Sequence, residues 1–285
     1  GNALIDPSLH IWTWEVAMYL FLGGLTAGIM VFAAYIAIAR KDEEAPFAAT
    51  QLALLAPIAL SLGMTTLFLD LEHKLFVFRF YTAFQVLSPM SWGAWILIVI
   101  YPVSILQILS TLRAGYPQVS PYVDRFSIGK QLLDWCEAYR RQIAMVAIPF
   151  GIALGIYTGI LLSAFSARPF WNSGMLGPLF LVSGLSTAAV LPLLAGVAGA
   201  ERRHFERSDM SLIAVELTLI ALFLISLATG AGQHLDALHL VWGGDFTVPF
   251  WLWFVLPGLL IPIVLEIFEM RGICRFSLLA SLLVL

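Results

Sequence analysis

Seven stretches of this chain each run for twenty residues or more with at most one Asp, Glu, Lys or Arg, and no other feature limits its fold as much. They cover 16–39, 45–69, 89–112, 142–165, 175–199, 210–235 (interrupted by Glu216) and 246–265. An eighth begins near 276 and is still apolar at Leu285, as expected of a span cut short. A helix needs about 20 apolar residues to cross the hydrocarbon core. Lipid offers the backbone no hydrogen-bond partner, so only helices or closed barrels cross it. These runs lack strand alternation and read as helices. Composition agrees: 60% of the 285 residues are hydrophobic and 12% charged, against about 45–50% and about 25% in soluble domains. A water-soluble fold of this make-up would expose large apolar patches. The net charge of −3 comes with no basic patch, so nucleic acid has no support.

Lys and Arg orient the bundle. Twelve fall on the side of the loops after spans 1, 3, 5 and 7, and three (Lys74, Arg79, Arg168) on the other. Positive charge favours the cytoplasm, which places the N-terminus and the 2–3 and 6–7 loops outside. A weak repeat links the halves. Gly24-Leu25-Thr26-Ala27-Gly28 in span 1 recurs as Gly184-Leu185-Ser186-Thr187-Ala188 in span 5, and Leu69-Asp70-Leu71 at the end of span 2 as Leu235-Asp236-Ala237 at the end of span 6. Four spans separate the copies, so they run parallel. The expected fold is all-α and membrane-integral, with eight helices in two parallel-related four-helix bundles, 1–165 and 166–285. The small residues let helix backbones approach closely.

Ionisable groups inside spans are costly and therefore informative. Glu15 lies at the outer end of span 1, near His10 and beside Trp14; Asp70 ends span 2 on the same side. Glu216 lies nearer the cytoplasmic end of span 6, with Glu201 and Arg202 before it. None of the five histidines lies mid-span, so a haem held between facing imidazoles is not expected. Two cysteines, Cys136 and Cys274, are too few for an iron–sulfur cluster. No metal site is expected.

The segment Phe68-Leu69-Asp70-Leu71-Glu72-His73-Lys74, followed by Arg79-Phe80 and by Ser88-Pro89-Met90-Ser91-Trp92-Gly93, resembles the NrfD/polysulfide-reductase membrane-subunit family. So do Trp14-Glu15 and Tyr19 through Gly28 in span 1, and Tyr157-Thr158-Gly159 in span 4. One departure is the loop after Asp70, where the family often has Gly-Arg-Pro in place of Glu72-His73-Lys74. The resemblance implies a haem-free subunit exchanging electrons between membrane quinone (menaquinone or ubiquinone) and a four-cluster iron–sulfur partner on the outer face. That partner commonly serves a molybdenum-containing catalytic subunit. The setting implied is a bacterial or archaeal cytoplasmic membrane.

Such a site needs a lipid-facing entry, a hydrogen-bond partner for each quinone oxygen, and a proton route. Tyr157, His10, Glu15 and Asp70 all fall at the outer level of the first bundle. The resemblance points to Tyr157 and His10 as partners of the ring oxygens. Trp14 and Arg79 are counted with them, and Arg79 and His73 are also candidates for partner contacts. Asp70 or Glu15 is expected to exchange protons, and Glu216, Glu201 and Arg202 to form a route from the cytoplasm. Two readings compete: a proton or ion transporter built from the parallel repeats, and an anchor without ligand.

Overall fold

The computed structural model describes residues 14–71, 74–82, 85–164, 170–230, 232–270 and 277–285. Among them there is no strand. Helix α1 (Trp14–Ala39) leads through the short α2 (Pro46–Thr50) to α3 (Leu52–Asp70). A single 3-10 turn at Lys74–Phe76 and α4 (Arg79–Thr82) precede α5 (Pro89–Leu109). Three short helices follow: α6 (Leu112–Gly115), α7 (Ser120–Asp124) and α8 (Ser127–Ala138). Then come α9 (Arg140–Ser163), α10 (Leu176–Leu194), α11 (Gly199–Ala228) and α12 (Gly232–Val241). A π-helical stretch, Pro249–Leu260, runs directly into α13 (Ile261–Met270), and α14 (Ser277–Val284) closes the chain. Seven of these helical stretches are long and apolar enough to span a membrane, and α14 is an eight-residue apolar helix.

Helices α1, α3, α5 and α9 pack in a ring, each touching the next. Helices α10, α11, α13 and α14 make a second ring. The rings meet where α10 lies against α1 and α9. The repeated small residues sit at that seam. A methyl group added at Gly28 would overlap the Gly184 carbonyl and the Ala188 side chain, and one at Gly184 would overlap the Gly24 backbone. The two copies of the motif thus face each other, with backbones at a distance only glycine permits.

Several boundaries differ from the hydropathy reading. The run 45–69 is two helices, broken at Gln51. Helix α11 begins at Gly199, eleven residues before the charge-free run, because its charges are satisfied locally. The Glu201 carboxylate accepts the backbone N–H groups of Phe47 (3.2 Å) and Ala48 (2.8 Å), capping α2. The Arg202 guanidinium donates to Glu206 at 2.6 Å, one turn on, and the fully buried Asp209 accepts from Ser186 at 2.5 Å. Asp236 therefore does not end span 6. That helix stops at Ala228, and Asp236 lies within α12, whereas Asp70 is the last residue of α3.

Candidate functional site: a tyrosine-lined cavity in the first ring

On the side poor in Lys and Arg, the first ring opens into a cavity of about 570 Å³ between α1, α3, α5 and α9, with Val77 and Tyr81 closing one side. Four tyrosines line it, Tyr19, Tyr81, Tyr101 and Tyr157, together with Asp70. The remainder is mainly apolar, including Met64, Met90 and Leu97. Along α3 it extends from Ser61 to Asp70, about 14 Å at 1.5 Å per residue. Ser61, Thr65 and Phe68 line it yet stay exposed on the perimeter of the ring.

The segment before α5 shapes this wall. Ser88 precedes the helix in an extended conformation and Pro89 opens it, a position where the missing N–H costs nothing. The Ser91 hydroxyl accepts the Gln85 N–H at 3.0 Å, and the Trp92 indole N–H donates to the Val86 carbonyl at 2.7 Å. These bonds fold the loop back on the helix start. Gly93 then makes room for Tyr157, because a methyl group there would overlap the Tyr157 hydroxyl and ring. The Ser-Pro-Met-Ser-Trp-Gly string thus builds the loop and seats the tyrosine.

Tyr157 is buried and packs in one apolar cluster with Tyr19. Deeper in, the hydroxyls of Tyr101 and Ser61 share a hydrogen bond of 3.2 Å between α5 and α3. Burial, and secondarily Tyr101, pushes the Tyr81 hydroxyl above its ordinary range, so it stays protonated at neutral pH. Together the groups offer several hydroxyl donors and one carboxylate around an apolar slot. Such a slot can take a flat apolar ring whose edge carries hydrogen-bond acceptors.

The structure brings Tyr157 and Asp70 to one cavity, and does not bring Trp14, Glu15 or Arg79 there. Trp14 is 61% exposed, and neither it nor Glu15, one turn before Tyr19, lines the cavity. Arg79 is exposed, its guanidinium 4.5 Å over the Phe76 ring. His10 and His73 lie outside the described residues. Glu201 and Glu216 are fifteen positions apart on α11, about 22 Å along its axis, with Glu201 committed to capping α2. Glu216 meets instead a buried polar group in the second ring. It hydrogen-bonds Ser183 of α10, while Asp209 contacts Ser186 and Glu266 of α13.

Tyr19, Tyr81 and Tyr101 are functional candidates that the sequence reading missed. Tyr19 stood in the motif of span 1, but a tyrosine in an apolar helix looks like packing until the helices converge. A second cavity, about 840 Å³, lies between α12, the start of the π-helical stretch and the segment before α10, beside Phe170, Trp171 and Phe250, with Gln233 and Asp236 in its lining. It contains no tyrosine, and its two polar side chains are exposed.

The family model "Polysulphide reductase, NrfD" matches residues 5–285. The C subunit of polysulfide reductase from Wolinella succinogenes is 28% identical over 288 residues, covering 96% of this chain and 90% of that protein. Protein NrfD of Escherichia coli is 27% identical over 269 residues, covering 90% of this chain and 84% of that protein. The NrfD homolog of Haemophilus influenzae is 27% identical over 279 residues, covering 92% and 84%.

Proposed function

The chain belongs to the NrfD polysulphide-reductase family, and from that premise we propose that it is the quinone-reactive membrane subunit of a respiratory oxidoreductase, with its quinone site in the tyrosine-lined cavity. The observation that carries the reading is the convergence of Tyr157 and Asp70 on one largely apolar cavity. A bound quinone supplies two-electron, two-proton redox chemistry. Tyr157 donates its hydroxyl proton in a hydrogen bond to one ring oxygen, and His10, from the start of span 1, serves the other. Tyr19 and Tyr81 supplement this donor set. Asp70 takes or supplies the proton at the outer end, with Glu15 one turn from Tyr19 as its relay toward the surface. Trp14 and Arg79 act outside the cavity lining, and Arg79 and His73 also serve partner contacts.

We divide the chain into two bundles, 1–165 and 166–285, of which the first carries the chemistry. The partner is an iron–sulfur subunit with four clusters, docked over the outer face and passing electrons to or from a molybdenum-containing subunit. The setting is a bacterial or archaeal cytoplasmic membrane with the N-terminus outside. The test is Tyr157→Phe in the assembled complex. Quinol turnover falls about tenfold, the scale of one good hydrogen bond, while the complex assembles at normal yield. Unchanged turnover would remove Tyr157 from the site.

One observation favours a second reading, a proton-translocating subunit. Asp209, Glu216 and Glu266 are buried in the second ring with hydroxyl partners from Ser183 and Ser186. Glu216 is then the inner station of a route entered near Glu201 and Arg202. Glu216→Gln in proteoliposomes distinguishes the two: it abolishes quinol-linked pH changes under the second reading and leaves them intact if the group is packing alone.

A further inference from the structure

We propose that α8 is an interfacial helix: it lies in the headgroup layer of the leaflet on the side rich in Lys and Arg, with Ile128, Leu132, Trp135 and Tyr139 set among the upper acyl-chain carbons. The helix has three faces. Leu133 and Cys136 are fully buried and pack on the protein, consistent with the contacts of α8 to α5, α7 and α9. Lys130, Asp134 and Glu137 form a polar face. Arg113 bridges the two carboxylates there, at 2.7 Å to Asp134 and 2.9 Å to Glu137, while also holding Asp124. The third face is apolar and, among the described residues, is exposed. Ile128, Leu132, Trp135 and Tyr139 are between 40% and 82% exposed. Their spacing of four, three and four residues places them in one stripe, about 17 Å long.

Water is a poor neighbour for such a stripe, and its position settles which apolar medium is at hand. Tyr139 is the cap residue of α9, a membrane span that begins at Arg140. The stripe is therefore tethered by its last residue to the level at which a span enters the bilayer. Its two aromatic rings, Trp135 and Tyr139, pair at that end, with centroids 5.2 Å apart. Aromatic side chains collect at this depth because one edge is apolar and the other polar. A helix with an apolar stripe and a charged opposite face lies in the interfacial plane. The inference does not depend on quinone chemistry.

The test uses the full chain in nanodiscs, in a Cys136→Ala/Cys274→Ala background. An environment-sensitive nitrobenzoxadiazole label is placed singly through Ile128→Cys, Leu132→Cys or Trp135→Cys, and through Ser127→Cys or Lys130→Cys for the polar side. Lipids with a nitroxide on the upper acyl chain act as quencher, and an aqueous nitroxide as the control. The stripe positions should be quenched several-fold more by the lipid nitroxide than by the aqueous one, with the order reversed at Ser127 and Lys130. Equal quenching on both faces overturns the proposal. So does a stripe shielded from both quenchers, which would mean that protein, a second copy or a partner, covers it. A variant that does not fold is recognised by its loss of a sharp melting transition. The pattern is then read from the remaining positions, Ile128 or Leu132 against Ser127 or Lys130, whose opposite responses are required in the same way.

Discussion

Gly93→Ala tests how the cavity is built, because the reason for the glycine is visible in one contact. A methyl group at 93 would occupy the space of the Tyr157 hydroxyl and part of its ring. Helix α5 is held at this point by Pro89 and by the bonds of Ser91 and Trp92 to the preceding loop, so the tyrosine is the partner that gives way. Overpacking of this kind costs about 1–3 kcal/mol. Displacing the hydroxyl also forfeits one hydrogen bond to a ligand, about 0.5–1.5 kcal/mol, or roughly two- to tenfold in affinity. A fluorescent quinol-analogue inhibitor, titrated by quenching against the purified protein, reads the affinity; a melting curve reads the packing cost. The double variant Gly93→Ala/Tyr157→Phe removes the atom nearest the new methyl. Its two penalties should then fall short of their sum by about 0.5 kcal/mol or more, as expected for residues in contact. Unchanged affinity and melting in Gly93→Ala, or strict additivity in the double variant, would refute the reasoning.

Three further outcomes follow from the packing and the charges. Glu201→Ala removes the cap from the Phe47 and Ala48 amides and should lower stability by about 1 kcal/mol without weakening quinol-analogue binding; loss of turnover with melting unchanged would instead place Glu201 on a proton route. Gly184→Ala should destabilise the seam between the rings by about 1–3 kcal/mol, whereas Gly174→Ala, where a methyl group meets nothing within 4 Å, should not; equal melting temperatures contradict the seam. Arg113 holds the Asp124 carboxyl below its usual range, so this pairing stabilises the fold above the ordinary carboxylate pKa of about 3.9 and is lost as pH falls through the lower folded value. Arg113→Met should therefore flatten the acid limb of a melting-temperature profile, and an acid limb as steep as before contradicts the assignment.

The spans were legible because lipid imposes a length and a polarity that single residues cannot evade. What hydropathy could not show was where a helix continues under charges or breaks without them. The charges at the start of α11 look like a loop until Glu201 is seen to cap α2, Arg202 to pair with Glu206, and Asp209 to meet Ser186. Gln51 breaks a run that is apolar on both sides, and the separate helix around Asp236 spoils one half of the repeat. Of the site, Tyr157 and Asp70 were readable from position and motif. Tyr19, Tyr81 and Tyr101 were not, since each acquires its meaning from a neighbour on another element. Gly93 belonged to the motif, but only the tertiary contact with Tyr157 explains it.

The most direct test of the central claim is photolabelling of the membrane-embedded protein with an azidoquinone, followed by mass mapping of the labelled peptides. The account predicts label, displaced by excess quinol, on segments bearing Asp70, Tyr81, Gly93 or Tyr157. Displaceable label confined to the second cavity, around Trp171 and Phe250, or none that quinol displaces, would contradict it.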